Sequence, residues 1–402
     1  MKKLPFPFVV SAVGLVTATV VFVIWGIPYF FQPSSIVQDQ NAFGSQMIRA
    51  RVTKILEEGQ ITLGENQQPY QVLDVELLEG DYKGLLMEVD YGKRQLRNDT
   101  NRLVPDDEIF VMIGQDPTGM LSAYYVDYVR TNPLLLLLGV FISAILLLGR
   151  WKAVGSLLAL AFSMLMITGY IIPHILAGED PLFVSLIGAT IMLGTTLYMT
   201  YGWNMKTHAS VLSMVLALLL TGLLSVIFVS LTRLTGSGQE TALFLIQFSP
   251  VNINLRGLLL GGMIIGALGV LDDLVSSQSA AVFEIYDANP ALGFRRIFEK
   301  SMRIGRDHVA ATVNTLVLAY AGASLPLLLL FTIGSGNYGF LINQGFMAEE
   351  VVRTLVGSVG LIAAVPITSL IATALATRGN QLGEWRALFG PDTGDAEHHH
   401  SH

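Results

Sequence analysis

The chain contains no cysteine. That excludes a disulfide framework, a thiol nucleophile and any thiolate-held metal or cluster. Charge is also scarce: 14% of the 402 residues are Asp, Glu, Lys or Arg, where an ordinary soluble domain carries about 25%. The catalytic signatures H-E-x-x-H, G-x-S-x-G and the Walker A loop are absent. "GVLDD" at 269–273 is not the G-x-G-D of intramembrane aspartyl proteases. Neither enzymatic chemistry nor a resident cofactor is expected. A net charge of −7 argues against nucleic acid as a partner. Apolar residues fill the gap, at 52%. Their long runs make the lipid bilayer the first partner of the chain.

A helix needs about 20 apolar residues to cross the hydrocarbon core. Eight runs meet that need, at 8–31, 133–149, 153–176, 181–201, 208–232, 255–272, 309–333 and 351–376. Lys2 and Lys3 precede the first run as in a signal peptide. That run is longer than the about 7–15 residues of a signal core and lacks an A-x-A site, so it reads as an uncleaved anchor. With the N-terminus inside, the inner segments collect Lys2, Lys3, Arg150, Lys152, Lys206, Arg295, Arg296, Lys300, Arg303, Arg306, Arg378 and Arg386. The short outer segments hold only Arg233, Arg256 and Arg353. Twelve against three places both termini in the cytoplasm by the positive-inside rule.

Residues 32–130 form one long outer segment. "MIRARVTKIL", "YQVLDVELL", "GLLMEVDYG", "DEIFVMIG" and "LSAYYVDYV" alternate apolar and polar residues between Gly-, Asn- and Asp-bearing turns. Five strands at this spacing predict a small OB-like barrel. The expected fold is therefore a polytopic α-helical membrane protein of about eight spans, with an extracytoplasmic β-rich domain between the first two. Its parts are an anchor at 1–31, the barrel domain at 32–130, a seven-helix membrane domain at 131–378 and a flexible cytoplasmic tail at 379–402. The barrel segment carries 16 carboxylates and 9 basic residues. Such a surface is either simply solvated or a cation-collecting vestibule or docking face.

Polar residues concentrate in "GALGVLDDLVSSQSAAVFEI", 266–285, at the end of a glycine-dense apolar run. Gly257/Gly261 and Gly262/Gly266 are small-xxx-small pairs, which predict close helix packing in the middle of the bundle. If the helix continues past Asp273, Asp272, Ser276 and Ser279 share one face, and Asp273, Ser277 and Glu284 a neighbouring one. The intervening Leu274, Val275, Ala280, Ala281, Val282 and Phe283 do not suit a solvated loop. They suit a re-entrant or membrane-surface helix lining a cavity, where a carboxylate inside the membrane faces a partner or a pathway. The plainer alternative is a capped helix end at the interface.

The following segment, "RRIFEKSMRIGRDHVAATVNTLVLAYAGASLPLLLL", begins basic and amphipathic and becomes apolar. Arg295, Arg296 and Lys300 suit anionic lipid. Arg303, Asp307 and Asn314 share a face, and Arg303 and Arg306 are the expected ion-pair partners of the aspartates. Pro326 and Pro366 interrupt apolar spans and free carbonyls near Thr368, Ser369 and Thr373, as in transporters and equally in kinked structural helices. His174, His208 and His308 stand singly near span ends. "EHHHSH" at the C-terminus is a weak site for a soft divalent metal or merely a flexible tail.

On "GALGVLDDLVSSQSAAVFEI", "GRDHVAATVNTLVLAYAGASLPLLLL" and "EEVVRTLVGSVGLIAAVPITSLIATALA", the chain resembles the YibE/F-like family of bacterial multipass membrane proteins. The resemblance covers most of 133–376 and extends to the anchor and outer β-rich domain. It implies a bacterial cytoplasmic-membrane protein and carries no activity with it. The doubled Asp272–Asp273 stands where the family block is expected to hold a single aspartate, which leaves both open.

The leading expectation is an ion-binding or ion-coupled transporter of a small ion or solute. Its pathway would run between residues 255–289 and the spans at 309–333 and 351–376. Asp272, Asp273, Ser276, Ser279, Glu284 and Asn314 would bind the ion or solute, and Arg303, Arg306 and Asp307 would form an inner gate. Oxygen ligands without cysteine suit a hard ion. The rival is a non-transporting platform whose outer domain binds an envelope partner, alone or as a homo-oligomer. A third reading is an exporter of an anionic solute held by the arginines.

Overall fold

The computed structural model describes residues 47–63, 66–93, 102–115, 121–238, 240–248, 252–333, 338–378 and 389–391. The expected anchor at 8–31 and all but three residues of the expected tail lie outside these. Two compact units divide the chain, one within 35–148 and the other within 149–402.

The five expected strands all form. They are β1 (Met47–Leu63), β2 (Asn66–Leu77), β3 (Leu86–Tyr91), β4 (Glu108–Gln115) and β5 (Leu121–Tyr128). They close a barrel in the order β1-β2-β3-β5-β4. β3 and β5 pair in parallel at Val89↔Ala123, and every other neighbouring pair is antiparallel. β1 is long enough to pair with both β2 and β4, and register shifts at Val52/Lys54 and Ile55/Glu57 bend it between the two. Alternation then works as the sequence requires: Ile48, Ala50, Val52, Leu73, Val75, Leu77, Val89, Ile109 and Val111 fill the interior. Leu103 plugs it from the loop before β4. Buried Gln71 clamps that loop, accepting from Leu103 N at 2.9 Å and donating to Leu103 O at 3.1 Å.

The second half of the chain is helical. α1 (Thr131–Met166) runs into a π-helical turn (Ile167–Ile171) and α2 (Ile172–Leu176). The turn precedes Pro173, which has no N–H to offer the ladder. Ile172 N–H reaches back five residues to the Ile167 carbonyl. The sequence predicts a loop at 150–152, but the backbone there is helical. Nothing in Arg-Trp-Lys-Ala competes locally with helix formation, as Pro, Asn or Asp would. A 36-residue helix is about 54 Å long, so its two apolar windows are not a single crossing of a ~30 Å core.

Next come α3 (Pro181–Tyr201), α4 (Met205–Leu231), α5 (Glu240–Phe248) and α6 (Leu255–Ala288). Polar caps start three of these helices: Asp180 accepts from Leu182 N and Phe183 N, Asn204 from Thr207 N, and Asn254 from Gly257 N. Gly236, in the turn after α4, takes φ 81° and packs against the start of α6, with the Leu255 carbonyl where a side chain would stand. α7 (Phe294–Ala323), α8 (Leu325–Ile333), α9 (Tyr338–Ile342) and α10 (Gly345–Arg378) complete the chain. The single span expected at 309–333 is divided. Ser324 leaves the helix at φ −94°, ψ 15° and α8 begins one residue before Pro326, a position proline tolerates. Pro366 instead sits inside an unbroken α10 on an exposed face.

Among the described residues six windows are long and apolar enough to cross a membrane: two in 131–176, and one each in α3, α4, α6 and α10. Of the other two expected spans, 8–31 lies outside the described residues and 309–333 is divided. The window in α6 is the most buried of the six, at 56%. α6 packs against α3, α4, α7 and α10, which is the central position its glycines predict. Only one of the two glycine pairs makes the close contact. Side-chain atoms at Gly257 and Gly261 would strike Pro181 and Ser185 of α3, whereas Gly262 has open space beside it.

Candidate functional site

α6 continues through the aspartates without a break, so Asp272 lies halfway along a 34-residue helix rather than at its end or on a re-entrant segment. The face predicted from 100° per residue is real. Asp272, Ser276 and Ser279 all point towards the α3–α4 side. Ser276 Oγ accepts from the Tyr201 hydroxyl at 3.4 Å and donates to the Asp273 carbonyl at 3.2 Å. Ser279 is fully buried and donates to the Lys206 carbonyl at 3.0 Å. Both serines are thus occupied in joining helices.

Asp272 is different. A cavity of about 390 Å³ opens beside it, between the second half of α1, the π-turn, α3 and α6. Leu160, Met164, Ile167, Met192, Leu193, Leu197, Ile265 and Leu268 make apolar walls, and the polar positions are Ser156, Ser163, Thr196, Thr200, Tyr201 and Asp272. The Oδ1 atom of Asp272 is buried and no donor reaches it among the described residues. A buried acceptor without a partner costs on the order of 1–3 kcal/mol, and more when charged.

Two close helix contacts make the room. Gly155 of α1 comes against the Met199 carbonyl, 3.1 Å from where a Cβ would be, and Gly188 of α3 receives Ile171 and Tyr170. α1 therefore touches α3 near one end of the cavity and the π-turn touches it near the other, and the cavity lies between them. Gly269, also in the wall, has nothing within 4 Å of a would-be Cβ.

The other expected site residues do not gather there. Asp273 and Glu284 are exposed. Arg303, Arg306, Asp307 and Asn314 are exposed on α7, and no ion pair joins the arginines to either aspartate among the described residues. α7 meets α6 through neutral groups instead. Buried Gln278 donates to the Ser301 carbonyl and to Ser369 Oγ of α10, both at 2.8 Å. Gly305 leaves space for it: a Cβ there would strike Val365 and stand 2.9 Å from Gln278 Oε1. Ser277 faces His308 at 3.3 Å. The cavity beside Asp272 lies on a different side of α6 from the α7–α10 pathway that the sequence suggests.

Two carbonyls near Pro366 are likewise taken up within α10, while the buried Thr373 hydroxyl has no partner among the described residues. Thr368 donates to the Ala364 carbonyl at 2.7 Å and Thr377 to that of Thr373. His208 is packed among Tyr198, Trp203 and Phe389, with Nδ1 2.6 Å from the Tyr198 hydroxyl. His174 pairs with Glu179 at 2.6 Å. No group of three or more His, Cys, Asp or Glu able to hold a metal occurs among the described residues. A larger groove of about 750 Å³ runs along β3 and β5 of the barrel, and its lining of Leu85, Leu86, Leu121, Tyr124 and Glu88 converges on no single point.

The model of the YibE/F-like protein family matches residues 137–378. The chain belongs to that family. No curated protein and no solved structure matches it. The matched region of this YibE/F-like protein contains the whole cavity and the Gln278 junction, and the barrel lies outside it.

The sequence singles out Asp272 but not the residues that surround it. Ser156 and Ser163 are seven residues apart and Thr196 and Thr200 four apart, so each pair shares a face of its helix. Hydroxyls so spaced in apolar spans were the available signal. Gln278 and Gly305 had none beyond being polar or small.

Proposed function

We propose that this YibE/F-like membrane protein transports a small ion or solute through the cavity beside α6, with Asp272 as its binding carboxylate. The observation that carries this is Asp272 at the middle of an apolar helix, lining a cavity with a polar wall and holding a buried Oδ1 that has no partner among the described residues. Insertion of an aspartate at such a depth costs about 2.5–3.5 kcal/mol, and residues of this kind mark pathways and relays. Glu349 shows the contrast. It is buried too, more fully than Asp272, but accepts from Gly238 N at 3.1 Å and closes a loop, which is a structural use.

The same reading puts Asp273 outside the site, because it is exposed and is not among the residues that line the cavity beside Asp272. It places the chain in a bacterial cytoplasmic membrane with the barrel outside and the tail inside, from the distribution of Lys and Arg. The polar wall of the cavity is what supports a transporter.

Flux in proteoliposomes tests the proposal. Asp272→Asn keeps the shape and removes the charge, so it should abolish flux at unchanged membrane abundance, while Asp273→Asn should transport normally. If both variants transport like the parent protein, the cavity is not the pathway, and a platform for an envelope partner becomes the better reading.

A further inference from the structure

The chemistry of the cavity wall narrows what Asp272 holds. Its polar groups are one carboxylate and five hydroxyls, from Ser156, Ser163, Thr196, Thr200 and Tyr201. Among the described side chains no Lys, Arg or His lines it, so an anion finds no counter-charge there. Nitrogen and sulfur ligands are missing except for the thioethers of Met164 and Met192, which disfavours soft transition metals. Calcium takes about six to eight oxygen ligands, and magnesium is held by one or two carboxylates while keeping several waters. With a single negative charge, a divalent ion would leave one positive charge uncompensated among apolar side chains, where charge is costly. One charge on the wall matches one charge on the ligand.

The hydroxyls separate an alkali cation from a bare proton. Thr196 donates to the Leu193 carbonyl at 3.3 Å, which aligns its hydroxyl and leaves lone pairs free to accept. Ser156, Ser163 and Thr200 form no side-chain hydrogen bond among the described residues. Protonation would neutralise Asp272 and give these oxygens nothing. A hard monovalent cation uses both, taking the carboxylate for charge and neutral oxygens from two further helices for its remaining coordination.

We infer that the cavity between α1, α3 and α6 is an alkali-cation site of the sodium class, formed by the Asp272 carboxylate with hydroxyl oxygens of Ser163, Thr196 and Thr200. This rests on the transport reading for its function but not for its binding chemistry. Binding would draw α1 towards α3 and α6, because its oxygens come from all three.

Thermal unfolding of the purified full-length protein in detergent tests it. NaCl, LiCl, KCl, MgCl₂ and choline chloride would be compared at constant ionic strength and pH. A ligand that binds only the folded state raises the melting temperature saturably. Sodium or lithium should give a rise on the order of 3 °C over choline. Asp272→Asn should remove the rise, and Thr200→Val should move the sodium midpoint about tenfold higher, equivalent to one lost ligand. A saturable, Asp272-dependent response to magnesium but not to sodium would overturn the inference. So would a flat response to every alkali cation. If flux still requires Asp272 under a proton gradient alone, the transport reading stands and only the cation assignment fails. If neither flux nor melting depends on Asp272, both fail.

Discussion

Neighbouring residues in α6 show how sharply a contact depends on which way a side chain would point. Gly261 lies against Ser185 and Pro181 of α3, whereas Gly262 has nothing within 4 Å of a Cβ. Gly261→Ala should therefore lower the melting temperature, since forced overpacking costs about 1–3 kcal/mol. Gly262→Ala should leave it unchanged or raise it, because alanine suits a helix better than glycine. Equal losses from both would show that glycine is needed there for something other than packing. Gly305 belongs with Gly261: its Ala variant meets Val365 and Gln278 at once. Gln278 spans three helices with two donated bonds and leaves Oε1 unpartnered. Gln278→Leu trades two bonds for relief of that orphan acceptor, so its cost should be below that of Gly305→Ala in the same melting assay.

Among the elements, the barrel and the helices answer to different forces. The barrel interior is fixed by alternation, and its loop is fixed by Gln71. Gln71→Ala strips both hydrogen bonds from the buried backbone of Leu103, a loss of about 1–3 kcal/mol. Faster proteolysis at 102–107 is the expected readout, and unchanged cleavage would show the loop to be held otherwise. The barrel surface carries ion pairs at Arg49–Glu79, Lys93–Glu57 and Arg130–Asp127. Hydrogen bonds from Lys93 and Tyr70 hold Glu57 below the usual carboxylate range, as Arg49 does for Glu79 and Arg130 for Asp127. Carboxylates depressed in this way stabilise the folded form above about pH 4 and cease to do so as pH falls through their folded values. Being exposed, they should make the acid loss shallow and salt-sensitive. Among the helices, the two prolines act differently because of where they stand. Pro326 follows a break and starts α8, whereas Pro366 lies within α10 at the cost of one backbone hydrogen bond.

For the whole molecule, the two compact units bear on different questions. The cavity is built entirely from the unit within 149–402. Deleting 32–130 should accordingly leave Asp272-dependent cation binding intact, whatever it does to flux. Loss of sodium-dependent melting in a truncated protein that still inserts would tie the barrel to the site. Topology can be tested in the same cells. With no native cysteine, single thiols report without background. Gln60→Cys should label from outside and Pro290→Cys should not. Labelling at 290 in intact cells would invert the orientation drawn from Lys and Arg.

How much of this the sequence carried can be followed along α6. Composition and apolar runs determined the membrane class, since residues that cannot be solvated must be buried in protein or lipid. Period-two alternation determined all five barrel strands. The helical period placed Asp272, Ser276 and Ser279 on one face, because 100° per residue is a property of the backbone alone. The same rule could not say what that face would meet. Arg303 and Arg306 looked like partners by being next in the chain, yet they are exposed, and α7 joins α6 through Gln278, Ser301 and Gly305. The hydroxyls opposite Asp272 come from residues 156–200, more than seventy positions away. Which of several apolar helices pack together is decided by close contacts such as Gly155 on Met199, Gly188 on Ile171 and Gly261 on Ser185. Periodicity fixes the faces of a helix one at a time. The matching of faces depends on the shapes of two surfaces at once, and that only the tertiary structure decided.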